Sequence, residues 1–180
     1  MFLSVKEMEL RKIRFDETFQ PGQIDFTDEN LEPGEALKQG SPLHAAGSAE
    51  LLAHSEGELR IQGRYTVEMA AQCDRCLGGA RFPLDSGFDL FYRPTSFIAR
   101  EEEVEIDEGE AEIGFYEHGG IELEEILREQ VLLALPMQRV CSDGCKGICP
   151  VCGRNRNETS CDCRIKNTDD RWGALRNLEL

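Results

Sequence analysis

The sequence lacks an apolar run long enough to cross a bilayer. Its longest run is residues 131–135, whereas a spanning helix needs about 20 apolar residues. It also lacks a charged-then-apolar leader, because Lys6, Glu7 and Glu9 interrupt its first residues. These absences predict a protein without a membrane partner that resides in the cytoplasm, where thiols stay reduced.

Positive charge is scarce. The chain has 20 Lys+Arg against 35 Asp+Glu, a formal net charge of −15. Such a chain does not coat nucleic acid by bulk electrostatics, so we expect any contact with RNA to be local. The most acidic stretch, residues 101–129, predicts a solvated surface, since it lacks the ligand spacing of a calcium loop.

Histidine is scarce as well, with His44, His54 and His118 the only ones in the chain. None stands in the H-E-x-x-H spacing of a zinc hydrolase. The chain also has no glycine-rich phosphate loop and no Cys/His pair with visible geometry for nucleophilic attack. We therefore expect no enzymatic activity and no small-molecule substrate.

Cysteine, in contrast, is plentiful and closely spaced. The eight cysteines are Cys73, Cys76, Cys141, Cys145, Cys149, Cys152, Cys161 and Cys163. Thiolates two or three residues apart on a tight turn bind one cation together, and zinc takes four such ligands in a tetrahedron. The spacing predicts one or two Zn²⁺ ions, with all eight cysteines as candidate ligands.

The residues around the C-terminal cysteines favour this interpretation. Pro150 stiffens the turn between Cys149 and Cys152, and Gly153 is free to take a positive φ, so that backbone N–H groups point at sulfur. Between residues 140 and 165 few apolar residues other than cysteine occur, too few to offset the ordering entropy by burial. Structural zinc, at about 10–16 kcal/mol of apparent binding energy, would hold such a segment.

Other uses of the cysteines stay open at this point. Disulfides would require an oxidising compartment, and an iron–sulfur cluster would also be held by four cysteines. A thiol redox pair at Cys73 and Cys76 has the right spacing, but thioredoxin-like chemistry places the first cysteine at a helix N-terminus. Here a hairpin turn is predicted instead.

The hydrophobic pattern predicts an α+β fold, mainly an antiparallel β-sheet or partial barrel with one long helix packed on it and a zinc-knuckle tail. Three consecutive strands are predicted at residues 49–55, 58–70 and 81–92. The second connection places Cys73 and Cys76 on a hairpin tip, where Gly78 and Gly79 provide the backbone freedom for the turn.

Apolar residues at helical spacing predict the helix at residues 121–135. Acidic residues lie early in it, where the helix dipole favours negative charge, and Pro136 ends it. Residues 1–136 are thus predicted to form a β-rich core, and residues 137–180 a cysteine-rich metal-binding tail packed on it within one domain. A last amphipathic helix is predicted at residues 169–178.

Taken together, the motifs form a specific order. They are Cys-x-x-Cys-Leu at residues 73–77, Ile-Glu-Leu-Glu-Glu-Ile-Leu-Arg-Glu-Gln-Val-Leu-Leu-Ala-Leu-Pro at residues 121–136, the cysteine tail, and a closing Asp-Arg-Trp-Gly-Ala-Leu. The chain resembles the YceD family, the large ribosomal RNA subunit accumulation proteins, from roughly residue 40 onward. The resemblance implies a non-enzymatic role in 23S rRNA accumulation and large-subunit assembly, with large-subunit rRNA, a ribosomal protein, or both as partners.

The resemblance also implies how the cysteines are shared. Some members lack the second part of the tail, and some carry histidine at the positions of Cys141 or Cys145, which implies two four-ligand sites. The first would contain Cys73, Cys76, Cys141 and Cys145, and the second Cys149, Cys152, Cys161 and Cys163. The alternative keeps one zinc in the tail and leaves Cys73 and Cys76 as free thiols.

Six side chains flank the tail cysteines and are candidate contacts for RNA or a protein partner: Lys146, Arg154, Asn155, Arg156, Arg164 and Lys166. They make the tail slightly basic on an acidic protein, although ordinary solvating charges explain them equally well. Two other functions stay open. One is an acidic escort for a basic ribosomal protein, and the other is a thiol redox or metal-responsive protein.

Overall fold

The structure, a computed structural model, describes residues 1–26, 37–96 and 113–164. Its elements in chain order are β1 (Phe2–Ser4), α1 (Val5–Met8), β2 (Ile13–Phe19), β3 (Lys38–Gln39), β4 (Leu43–Leu51), β5 (Leu59–Gln72), β6 (Gly79–Pro94), β7 (Ile113–Tyr116), β8 (Gly120–Glu122) and α2 (Leu123–Ala134). The helix predicted at residues 169–178, residues 101–112 of the acidic stretch and Lys166 lie outside the described residues.

The described strands form two sheets. One has six strands in the order β2-β4-β5-β6-β7 with β3 beside β5, and the other pairs β1 with β8. These pairings are antiparallel except for β6 with β7, which is parallel. β6 pairs along the whole of β5, so β3 and β4 share the opposite edge of β5. Within the described ranges no pairing joins β2 to β7, so hydrogen bonds do not close this sheet into a barrel there.

The core is built on β5, whose odd-numbered residues face one side. The buried ones are Leu59, Ile61, Tyr65, Val67 and Met69. This is the period-two alternation of a strand with one buried face, and each fully buried large apolar side chain stabilises the fold by about 1.5–3 kcal/mol. The hairpin of β5 and β6 is therefore a rigid base for the turn that joins them.

Helix α2 covers the sheet with its apolar face. Its buried residues are Leu123, Ile126, Leu127 and Val131. The Tyr65 hydroxyl donates a 2.8 Å hydrogen bond to the carbonyl oxygen of Gln130, which ties α2 to β5. The helix has 12 residues, so it lies inside the predicted range and is of ordinary length rather than long. No helix in the described ranges is long and apolar enough to span a membrane.

The end of α2 follows from the residue after it. Leu135 has an extended backbone, with φ −68° and ψ 142°, because a following proline disfavours helical geometry at the residue before it. The chain therefore leaves α2 at Pro136 in an extended conformation. This sets the direction from which the cysteine tail approaches the sheet.

The predicted strand at residues 49–55 has the wrong bounds. β4 runs from Leu43 to Leu51 and a turn follows it. The half that pattern reading missed includes Ala45 and Gly47, which have low strand propensity. A Cβ atom at Gly47 would lie 2.6 Å from Cζ of Phe15, so close packing of that ring requires a small residue and overrides propensity.

Candidate metal centres

The tip of the β5–β6 hairpin presents Cys73 and Cys76. The Cys73 N–H donates to the carbonyl oxygen of Gly78 at 2.7 Å, and the Leu77 N–H donates to the carbonyl oxygen of Cys73 at 2.9 Å. Leu77 takes the left-handed conformation at φ 59°. The tip therefore bends at Leu77 and not at Gly78 and Gly79, where the sequence predicts the freedom to lie.

The tail is hydrogen-bonded to this tip. The Asp74 N–H donates to the carbonyl oxygen of Arg139 at 2.8 Å, and the Arg139 N–H donates to Oδ2 of Asp74 at 2.7 Å. Further along the tail, the Ile148 N–H donates to the carbonyl oxygen of Arg75 at 2.8 Å. These contacts lie on both sides of the next two cysteines and hold them against the hairpin.

The first cluster consists of Cys73, Cys76, Cys141 and Cys145, whose sulfur atoms all lie within 4.8 Å of one another. The Sγ atoms of Cys73 and Cys145 are 3.8 Å apart, and those of Cys76 and Cys141 are 3.7 Å apart. Sulfurs at about 2.3 Å from a tetrahedral zinc are about 3.8 Å from each other. The four sulfurs thus have the spacing that one zinc ion requires.

The second cluster consists of Cys149, Cys152, Cys161 and Cys163, with sulfurs also within 4.8 Å of one another. The Gly153 N–H donates to the carbonyl oxygen of Cys149 at 2.8 Å, and Gly153 takes φ 70°, as predicted. Cys149 is the buried member of this cluster, whereas Cys73, Cys76 and Cys145 are buried in the first. The second cluster is therefore the more open to solvent.

At least one thiol in each cluster ionises easily. Burial alone would raise the pKa of Cys73, but backbone N–H groups, that of Cys76 foremost, donate to its sulfur and lower the pKa to about 6. Backbone N–H groups, that of Cys152 foremost, likewise lower the pKa of Cys149 to about 6. Such N–H groups aimed at sulfur favour the thiolate, which is the form that binds a metal.

The most weakly acidic thiols lie beside these two. Hydrogen bonding with Cys145 and Cys76 raises the pKa of Cys141 to about 12, and hydrogen bonding with Cys152 raises that of Cys163 to about 12. Neighbouring thiolates repel one another, so each cluster by itself keeps protons on some sulfurs. A cation removes this repulsion and deprotonates its thiol ligands. The clusters therefore have the electrostatics of cation sites.

The geometry separates the alternatives for the cysteines. All eight are free thiols, and sulfur separations of 3.7 and 3.8 Å are far beyond the about 2.05 Å of a disulfide bond. Cys73 and Cys76 lie beside two tail cysteines, which is the sharing implied by the resemblance and not the alternative with separate thiols. Four sulfur donors of this spacing fit Zn²⁺.

The candidate contact residues differ in whether their side chains form ion pairs or hydrogen bonds within the described protein. Of the six, four form no ion pair with another described residue: Lys146, Arg154, Arg156 and Arg164. Asn155 is engaged within the loop, because its Nδ2 donates to Glu158 at 3.0 Å and its Oδ1 accepts the Asn157 N–H at 3.0 Å. Arg75 was not among the predicted contacts, although its place between Cys73 and Cys76 was visible in the sequence. It likewise forms no ion pair with another described residue.

The fold and the two clusters define a β-rich protein with a cysteine-rich end of the metal-knuckle type. The family model described as "Large ribosomal RNA subunit accumulation protein YceD" matches residues 61–179. The chain belongs to the YceD family. No solved structure matches it.

Several curated proteins are similar to this chain. It is 36% identical over 58 residues to "Large ribosomal RNA subunit accumulation protein YCED homolog 1, chloroplastic" of Arabidopsis thaliana. This aligned segment covers 32% of the chain and 18% of that protein. It is 32% identical over 141 residues to an uncharacterized protein of Mycobacterium tuberculosis, covering 78% of the chain and 63% of that protein. The chain thus spans less than two thirds of each. It is 24% identical over 173 residues to uncharacterized protein YlbN of Bacillus subtilis, covering 96% of the chain and 91% of that protein.

Proposed function

We propose that this chain is a non-enzymatic, cytoplasmic zinc protein that supports 23S rRNA accumulation and large ribosomal subunit assembly by contacting RNA through its cysteine-rich end. Family membership supports the ribosomal part of the proposal. The four-sulfur clusters support Zn²⁺ as the cofactor. The RNA contact rests on one further observation, the distribution of unpaired cations.

Four of the five arginines on the described strands are paired with acids, whereas most cations at the cysteine-rich end form no ion pair with another described residue. Arg60 and Arg64 each bind an aspartate, both at 2.6 Å. Arg154 and Arg156 form no ion pair with another described residue. On a chain with net charge −15, exposed unpaired arginines are the groups available to phosphate oxygens.

Zinc would give this surface a fixed shape. Among the described residues after Pro136, the buried side chains are those of Cys145 and Cys149. Two buried side chains do not offset the entropy of ordering so long a segment. Bound zinc would hold the segment by its sulfurs, and the basic side chains between them would then be presented together.

Two observations favour this role over enzymatic or thiol redox chemistry. His44, His54 and His118 are exposed, and neither cluster contains them. Cys73 is 0% exposed and Cys76 is 6% exposed, whereas thiol–disulfide exchange requires access to the attacking sulfur. The colour of the protein after aerobic purification distinguishes bound zinc from an iron–sulfur cluster, because an iron–sulfur protein would be brown and a zinc protein colourless.

The RNA contact is tested by removing two unpaired charges. We expect Arg154→Ala with Arg156→Ala to weaken binding to a 23S rRNA fragment and to reduce the slope of log K against log salt by about 2. The matched control is Arg60→Ala with Arg64→Ala, which removes the same charge from the sheet. Equal effects of the two pairs, or no effect of the first, would refute the contact.

A second candidate, an acidic escort for a basic ribosomal protein, is favoured by the net charge of −15. Purification from cells with and without nuclease treatment separates the two. A ribosomal protein that stays bound after nuclease treatment supports the escort. Loss of all ribosomal partners after nuclease supports contact through RNA.

A further inference from the structure

The loop between Cys152 and Cys161 is closed by the second cluster but contacts the first. Asn157, in the middle of this loop, donates from Nδ2 to the Sγ atom of Cys145 at 3.3 Å. Its Oδ1 accepts the Lys146 N–H at 2.8 Å. One amide side chain from the second cluster's loop therefore holds both a sulfur of the first cluster and the backbone next to it.

Backbone contacts fix this arrangement. The Arg156 N–H donates to the carbonyl oxygen of Gly147 at 2.9 Å, and Ile148 forms a bridge with Asn155. On its other side, this segment lies against the hairpin tip, since a Cβ atom at Gly147 would be 2.9 Å from the carbonyl oxygen of Arg75. The chain between the two clusters thus lies between the hairpin tip and the loop.

We infer that Asn157 is a positioning residue that couples the two clusters, so that metal in the second cluster raises the affinity of the first. This inference rests on the proposed metal binding. Metal at the ends of the loop orders it, and the ordered loop keeps the Asn157 N–H against Cys145. A hydrogen-bond donor on a ligand sulfur stabilises the metal-bound thiolate, and loss of such a partner typically lowers metal affinity by about 10–100-fold. By linkage, metal in the first cluster raises the affinity of the second by the same factor.

The proposed coupling depends on the N–H of the Asn157 side-chain amide. Asn157→Asp keeps the size of the side chain and an oxygen for the Lys146 N–H, but it has no N–H for the sulfur of Cys145 and adds a negative charge beside it. Asn157→Ala removes both interactions. We expect both variants to abolish the coupling, and the aspartate to weaken the first cluster more than the alanine does. Ser160→Ala, at an exposed position of the same loop, is the matched control.

The test is a thermodynamic cycle on the full chain, with Co²⁺ as the spectroscopic probe and Zn²⁺ as its competitor under reducing conditions. Cys149→Ser with Cys152→Ser leaves only the first cluster, and Cys73→Ser with Cys76→Ser leaves only the second. The two affinities from these variants are multiplied and compared with the overall affinity for two ions in the unaltered protein. We expect the overall constant to exceed the product by about 10-fold, and Asn157→Asp and Asn157→Ala to remove the excess while Ser160→Ala keeps it.

The outcomes distinguish this inference from the proposed function. Two tight sites whose overall constant equals the product overturn the coupling and leave the zinc role standing. An excess that persists in both Asn157 variants overturns the assignment to this residue. A protein that binds no metal overturns the inference and the zinc role together. Far-UV circular dichroism of each variant confirms that the sheet is retained.

Discussion

Gly47 lies on β4, paired with Phe15 of β2 and Gly63 of β5. A Cβ atom there would lie 2.2 Å from the carbonyl oxygen of Gln62 and 2.6 Å from Cζ of Phe15, distances that require the backbone to move. We expect Gly47→Ala to lower the free energy of unfolding by about 1–3 kcal/mol, measured by urea unfolding of the metal-loaded protein. Gly79→Ala is the control, since a Cβ at Gly79 meets no atom within 4 Å. Equal losses in the two variants would contradict the packing argument.

Among single residues, the cysteines were predicted from sequence and their hydrogen-bond partners were not. Spacing alone marked Cys149 and Cys152 as a pair, because ligands in one turn are close in sequence. The contact of Asn157 with Cys145 depends on the path of a loop, which spacing does not give. The bend at Leu77 was missed for a related reason. The turn is held by the hydrogen bond from the Leu77 N–H to the Cys73 carbonyl oxygen, whereas the sequence suggested that Gly78 and Gly79 would provide the bend.

At the scale of elements, the sheet and the tail are held by different forces. β5 buries a row of large apolar residues, whereas the tail is held by hydrogen bonds and, in our proposal, by metal. We expect chelation under reducing conditions to remove hydrogen-exchange protection from the Ile148 and Cys149 amides, which donate to Arg75 and Arg154, while amides of β5 stay protected. Hydrogen exchange followed by mass spectrometry measures both. Tail protection that survives chelation would show that the tail folds without metal.

The same distinction explains which elements the sequence predicts. Period-two alternation placed β5 and β6 nearly correctly, and helical spacing with Pro136 placed α2. The first half of β4 was missed because small residues there carry no hydrophobic signal. Their role appears only when the ring of Phe15 packs over Gly47, a contact between strands far apart in the sequence. Hydrophobic periodicity predicts strands and helices that bury large side chains, but it does not predict a strand segment whose small residues allow a large side chain of another strand to pack.

At the scale of the whole molecule, charge divides the protein into two surfaces. Four of the five arginines on the described strands pair with acids, as Arg93 does with Glu58 at 2.8 Å, and the net charge of −15 makes the remainder repel phosphate. Most cations that form no ion pair with another described residue lie beside the cysteine clusters, although Arg14 and Lys38 on the sheet are also among them. Contact with RNA is therefore expected mainly at the cysteine-rich end, which is the end that metal would hold in shape.

In our proposal two ions, each held by four sulfurs, fold this end. Elemental analysis of the purified protein and of the Cys73→Ser and Cys149→Ser variants counts these ions. We expect two zinc equivalents per chain, falling to one in each single variant, because each variant removes a ligand from a different cluster. A single equivalent that Cys73→Ser leaves unchanged, or a protein without metal, would contradict the proposal.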